Sequence, residues 1–224
     1  MKQFSIVMMG ATGAVGGHVH SCLATMPNIE KLTLLNRRTV GSLSAAFIHE
    51  EIVDVLSVKS YAHLLAGHNT AICTLGVGQP SQMSKEEFLQ IDRDAVLDFG
   101  KACKAADVEH FELLSSVGAN ASSPSFYLRT KGELQEGLRA LGFKRLSLFE
   151  PSMILTPTNR YGISQLITLK LTPLINPFLI GGLTKFRGIA VKRLGVAMAR
   201  NLVAQESVAS VEKLHWEDFN RFNA

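Results

Sequence analysis

Gly10-Ala11-Thr12-Gly13-Ala14-Val15-Gly16 is the stretch whose reading decides the fold of this chain. It follows directly on an apolar run, Phe4–Met9, and opens a helix-length amphipathic segment, Ala14–Thr25. A strand that enters a helix through glycines brings bare backbone amides to the positive end of a helix dipole. In such a loop Gly10 permits a tight turn, Gly13 allows backbone to approach a pyrophosphate, and Gly16 lets helix and strand touch. The spacing differs from the commoner GxGxxG, and glycine turns also serve as plain connections. The position between strand and helix is what favours a dinucleotide site.

The alternation continues downstream. Leu32–Leu35, Ile52–Val55, Thr70–Leu75, Phe111–Ser115 and Leu146–Phe149 are short apolar runs of the kind that form parallel strands buried on both faces. Tyr61–Leu65, Lys85–Ala106 and Ser125–Leu141 read as helices between them. This order predicts an α/β fold, a doubly wound parallel sheet with right-handed crossovers. Past Pro151 the pattern loosens, then resumes with a helix near Val191–Ala204, a strand near Val211–His215 and a last turn at Glu217–Phe222. No repeat or linker marks a boundary. Residues 1–224 therefore read as a single domain in which about 151–224 form a small C-terminal lobe on the substrate side.

Composition narrows the function classes. With 224 residues, 46% hydrophobic and 19% charged, the chain can bury a large core, which excludes disorder and a disulfide-stapled miniprotein. The net charge of +4 is modest and dispersed, unlike a nucleic-acid surface. Cys22, Cys73 and Cys103 are odd in number and lack metal-ligand spacing, so a reduced, cytoplasmic setting is expected. The seven histidines show no ligand pattern either, and no metal is expected. Glycines break the first apolar run too early for a signal peptide. Lys170, Pro173 and Pro177 interrupt Leu166–Leu183, so stable membrane insertion is not expected.

The second strand ends in Asn36-Arg37-Arg38, where a carboxylate would otherwise read a ribose 2′-hydroxyl. Guanidinium groups pair with phosphate, so NADP(H) is favoured over NAD; the alternative is two solvated loop charges. Asp54 reads as an acceptor for an adenine amino group or as a helix cap. In Leu75-Gly76-Val77-Gly78 a small residue would let backbone run beside the cofactor, though a bare turn would look similar. Tyr127 and Lys131, four positions apart, share a helix face. Ser115 and Ser116 end the fifth strand at the carboxyl edge, where α/β sheets bind ligands. That set suits carbonyl reduction, with a phenol as proton donor, an ammonium that lowers its pKa and holds the ribose, and a serine hydroxyl on the substrate oxygen.

Through GATGAVG, LLNRR, IDRDAVLDFGKACK, HFELLSSVGA and FYLRTKGELQ the chain resembles an atypical member of the short-chain dehydrogenase/reductase superfamily. The nearest subgroup is the HIV Tat-interacting-protein-like one with its bacterial NAD(P)H-binding relatives, and the resemblance fades after FEPSMIL. It implies that Gly10, Thr12, Gly13, Ala14 and Val15 bind the pyrophosphate and that Arg37 and Arg38 bind the 2′-phosphate. By the same resemblance Asp54 and Val55 meet the adenine, Leu75 and Gly76 the ribose side, and Pro151 and Met153 the nicotinamide amide. Ser116 aligns best with the superfamily serine, and Ser115 is the fallback. Asp92 stands where many members place the asparagine of a proton relay, and an Asp92–Arg93 pair would be purely structural.

The expected function is an NADPH-dependent reductase or dehydrogenase acting on a small carbonyl or alcohol substrate. Two alternatives are a non-catalytic NADP(H)-binding redox sensor that signals to a protein partner, and an epimerase or dehydratase that retains its nicotinamide. The chain is expected to be a monomer or a homodimer. Lys185, Arg187, Lys192, Arg193 and Arg200 read as a solvated face, with an anionic substrate or partner protein as the alternative. Phe126, Phe178 and Phe186 read as core before cleft lining.

Overall fold

Strand β1, Phe4–Met9, is buried along nearly its whole length, as a strand is when sheet continues on both sides of it. The computed structural model describes residues 2–41, 45–77, 83–156, 176–204 and 210–223. Strands β2 (Ile29–Asn36), β3 (Ile48–Ile52), β4 (Thr70–Cys73), β5 (His110–Leu114), β6 (Arg145–Phe149) and β9 (Val211–Leu214) join it in the order β3-β2-β1-β4-β5-β6-β9. Every pairing is parallel. Two short strands, β7 (Ile154–Leu155) and β8 (Ile189–Ala190), pair separately.

Helices α1 (Ala14–Leu23), α2 (Lys85–Leu89), α3 (Ala95–Ala105), α4 (Phe126–Ala140), α5 (Val191–Asn201) and α6 (Trp216–Arg221) flank the sheet. Period-2 alternation divides β1 between two cores: Ile6 and Met8 belong to the one shared with α1 and α5, Val7 and Met9 to the one shared with α3 and α4. Missing side chains let the helices close up. A Cβ on Gly195 of α5 would lie 2.5 Å from that of His18 on α1, and one on Gly100 of α3 would lie 2.4 Å from the Leu138 side chain on α4.

Several elements differ from the sequence expectation, each for a physical reason. β3 lies four residues earlier than Ile52–Val55, because an edge strand reading Ile-His-Glu-Glu-Ile faces solvent and carries no apolar run. Tyr61–Leu65 is not an α-helix: Tyr61 separates two 3₁₀ turns, Val58–Ser60 and Ala62–Leu64, and Leu65 follows the second. The long segment after Ser84 opens with a capping box to Glu87 and is interrupted by a π-helical turn, Gln90–Asp94. Phe178 and Phe186 are exposed rather than core. Gly78 and most of Leu166–Leu183 lie outside the described residues. Among the described residues no helix is long and apolar enough to cross a membrane, and no group of acidic, histidine or cysteine side chains is placed to hold a metal.

A buried polar layer crosses β5, β6 and α5. Asn201 Nδ2 donates to Glu112 Oε1 at 2.8 Å and to Ser147 Oγ at 3.1 Å, while Arg145 donates to Asn201 Oδ1 at 3.0 Å. Glu112 Oε2 has no partner among the described residues, and burial pushes this carboxyl from 4.5 up to about 8. Between those values the folded state holds a proton that the unfolded state releases, so stability falls as pH rises. Urea titrations from about pH 7 to about pH 8 are expected to show wild-type stability falling by up to about 1.4 kcal/mol per pH unit, and Glu112→Gln removing most of that slope.

Candidate functional site

A cleft of about 710 Å³ opens at the carboxyl ends of the central strands. Its floor is the glycine loop. Gly10 holds φ +95, and a Cβ there would lie 2.7 Å from the Leu75 amide nitrogen. A Cβ on Gly16 would lie 2.2 Å from the Gly10 carbonyl oxygen and 2.7 Å from Thr74 Oγ1. That carbonyl accepts from Thr74 Oγ1 at 3.0 Å and from the Gly13 amide at 3.0 Å. α1 then starts at Ala14, with Gly13 in the N-cap position offering no side-chain cap and no acidic residue in the first turn. Its leading residues Ala14 and Val15 line the cleft, so this is a ready anion seat.

The adjoining rim is basic. Arg37 and Arg38 line the cleft, are exposed, and have no carboxylate partner among the described residues. Their loop is held from behind by Glu50, whose Oε1 accepts from Asn36 Nδ2 and from the Val40 amide, each at 2.8 Å. Asn36 Oδ1 is buried in the wall without a partner among the described residues. Uncapped amides, side-chain-free glycines, an orphaned acceptor and two free guanidinium groups all fit a phosphorylated dinucleotide. Thr12, Val55, Leu75, Gly76 and Met153 also line the cleft. Asp54 does not: its Oδ1 accepts from the Leu56 amide at 3.0 Å and closes the turn after β3. Pro151 does not either, and its carbonyl accepts from the Val117 amide at 3.0 Å.

Tyr127 and Lys131 reach the same cleft from α4, one turn apart. The Tyr127 ring packs against Phe88 of α2 at 5.9 Å between centroids. Lys131 is buried, and its Nζ lies 2.8 Å from Asp92 Oδ1, itself buried. The Val77 amide donates to the other oxygen, Oδ2, at 2.7 Å. Burial pushes the Lys131 ammonium toward neutrality, but the Asp92 carboxylate outweighs it and the pKa is raised. The expected Asp92–Arg93 pair does not form; Arg93 turns away to Asp94 at 2.7 Å and Glu133 at 2.8 Å.

Of the two serines, Ser115 lines the cleft and Ser116 does not. Ser116 Oγ is 3.4 Å from the Val117 carbonyl oxygen. Ser115 Oγ accepts from Gln135 Nε2 at 2.8 Å, and the same amide nitrogen donates to Glu150 Oε1 at 2.8 Å. Both Gln135 amide hydrogens are thus used, so the Ser115 hydroxyl hydrogen is left for another acceptor. Sequence reasoning passed over Thr74, Asn36 and Gln135, and gave Asp92 no contact with Lys131. A signal for one of them was present: Asp92 interrupts the apolar stripe Phe88, Val96, Phe99, Cys103 of its helical segment.

The NAD(P)H-binding family matches residues 10–145. This chain belongs to that family. Among its relatives, protein HTATIP2 of Rattus norvegicus is 34% identical over 157 residues, covering 69% of this chain and 64% of that protein. The mitochondrial protein fmp52 of Emericella nidulans is 30% identical over 156 residues, covering 67% and 66%. The matched stretch thus spans slightly under two thirds of the length of either relative. Among solved structures, MoeE5 in complex with UDP-glucose and NAD superposes with a TM-score of 0.70 at 16% identity, over 94% of this chain and 76% of that one. The family match and the superposition agree on an NAD(P)H-binding chain with a Rossmann-type α/β fold.

The expected cytoplasmic setting is corrected by the same relatives, because the fungal family members are named mitochondrial. Cys22, Cys73 and Cys103 are all unpaired, but free thiols report only a reducing compartment and the cytoplasm is not the only one.

The ion pair in the cleft wall yields a stability test. Asp92→Ala leaves the buried Lys131 ammonium and the Val77 amide uncompensated, and chemical denaturation is expected to show a loss of roughly 3–5 kcal/mol. Asp92→Ala combined with Lys131→Met is expected to recover most of it, since both charges then leave the interior together.

Proposed function

We propose that this family member is an NADPH-dependent oxidoreductase that reduces the carbonyl of a small substrate through Ser115, Tyr127 and Lys131. One observation carries the reading: Tyr127 and the buried Lys131 open onto the same cleft as the glycine loop and the two unpaired arginines. Gly10, Gly13, Ala14 and Val15 would seat the pyrophosphate, and Arg37 and Arg38 the 2′-phosphate that separates NADPH from NADH. Bound NADPH would supply the hydride. Tyr127 donates its phenolic proton to the carbonyl oxygen, and the spare Ser115 hydrogen holds that oxygen in place. Lys131 keeps a positive charge beside the phenol and orients the ribose hydroxyls. Both Asp92 oxygens are already occupied by donors, so Asp92 acts as the counter-ion of Lys131 and not as a proton relay.

Fluorescence titration is expected to show tighter binding of NADPH than of NADH. The Arg37→Ala/Arg38→Ala variant should lose about 10–100-fold in NADPH affinity, with NADH little changed. On a panel of aldehydes and ketones, Tyr127→Phe is expected to cut turnover by about 10²–10⁴-fold while still binding NADPH. Undiminished turnover in that variant defeats the catalytic reading and leaves the cofactor reading standing.

A further inference from the structure

Between Pro151 and Ala204 the sequence has no Asp or Glu, yet it includes Lys185, Arg187, Lys192, Arg193 and Arg200 among its basic residues. None of these five has a carboxylate partner among the described residues. Inside this acid-free stretch lies a loop with its ends pinned together. The Gly188 amide donates to Asn176 Oδ1 at 3.0 Å, and Asn176 Nδ2 donates back to the Gly188 carbonyl at 3.4 Å. Trp216 Nε1 donates to that carbonyl at 3.2 Å, and the Arg187 guanidinium stacks on the Trp216 ring at 4.6 Å while donating to the Leu179 carbonyl.

A loop held this firmly by polar groups would ordinarily turn its apolar side chains inward. This one turns them out. Phe178 is 79% exposed and Ile180 70%, with Leu183 and Phe186 also exposed, so four of the seven exposed large hydrophobics among the described residues fall within nine positions. The Lys185 ammonium lies over the Phe186 ring, 5.3 Å from its centroid, a cation–π contact at the surface.

We propose that this loop seats the protein on an anionic lipid bilayer, with Phe178, Ile180, Leu183 and Phe186 entering the interface and Lys185, Lys192 and Arg193 meeting the headgroups. Exposed apolar side chains in a stretch that carries unpaired cations and no carboxylate of its own fit an anionic membrane surface. A second copy of the chain fits poorly. A two-fold interface would set this basic loop, which carries no carboxylate of its own, against its copy; the acidic groups beside it are Glu217 and Asp218 of α6. The loop also adjoins the cleft: it runs into β8, which pairs with β7, and Ile154 of β7 lines the cleft wall. A membrane-seated protein would therefore hold its substrate opening near the lipid. The proposal does not depend on the redox reading, because partition onto vesicles needs no turnover.

Co-sedimentation of the full chain with phosphatidylcholine vesicles, with and without about a quarter phosphatidylserine, tests it. Binding is expected to the anionic vesicles and not to the neutral ones, and to weaken as salt is raised. Phe178→Asp/Ile180→Asp is expected to weaken it at least about tenfold, as is Lys185→Glu/Lys192→Glu/Arg193→Glu, both with unchanged melting temperature and NADPH affinity. Three results overturn the proposal: wild-type protein left in the supernatant with anionic vesicles, undiminished binding by the Phe178→Asp/Ile180→Asp variant, or a solution dimer that this variant dissociates.

Discussion

The carbonyl oxygen of Gly10 accepts two hydrogen bonds, from Thr74 Oγ1 and from the Gly13 amide, and the cleft is arranged around that atom. The first bond ties the β1–α1 turn to the end of β4, and the second closes the turn that aims α1 at the opening. Neither arrangement tolerates a side chain at Gly16, whose Cβ would sit 2.2 Å from the same oxygen. The glycines are therefore requirements of packing first. The seat for an anion follows, because a helix with glycine in its N-cap position has no side chain there with which to cap its own amides.

What the sequence made legible follows the same physics. Buried parallel strands read as continuous apolar runs, so the central strands β1, β4, β5 and β6 were found to within a residue or two at each end. β3 was misplaced because an edge strand need not be apolar. The glycine loop, the arginine pair and the Tyr127–Lys131 spacing depend on local sequence alone, and the fold brings them to one cleft. Ser115 and Ser116 could not be told apart from sequence. Adjacent residues along an extended chain face opposite ways, and a register uncertain by one residue exchanges them. Thr74 and Gln135 act on partners 64 and 20 positions away, distances at which no local pattern carries information.

Lys131 and Asp92 place a mutual constraint on two helices. A buried ammonium is stable only beside a counter-charge, and a buried carboxylate needs donors for both oxygens. Asp92 meets both needs with one side chain, taking Lys131 on one oxygen and the Val77 amide on the other. The π-helical turn at Gln90–Asp94 carries it there, and a wider turn within a helix is a common means of redirecting a side chain at a functional site. Gly76 is part of the same arrangement, since a Cβ on it would lie 3.2 Å from Asp92 Oδ1. The loop after β4, the π turn and α4 are thereby joined at a single ion pair. Displacement of any of the three would move the Lys131 charge.

The buried carboxylates separate according to what lies beside them. Asp92 faces the cleft with a lysine and an amide; Glu150, linked to Ser115 through Gln135, has Lys213 at 2.9 Å. Glu112 lies in the polar layer, where Arg145 is already engaged by Glu212 at 2.8 Å, and one of its oxygens is orphaned. Its favourable form in that position is the neutral one, and its raised pKa is the expression of that preference. The fold thus supplies cations to the carboxylates that shape the cleft and leaves the other to take up a proton. A neutral Glu112 carries no charge to be compensated, which lets the polar layer remain buried without a further cation.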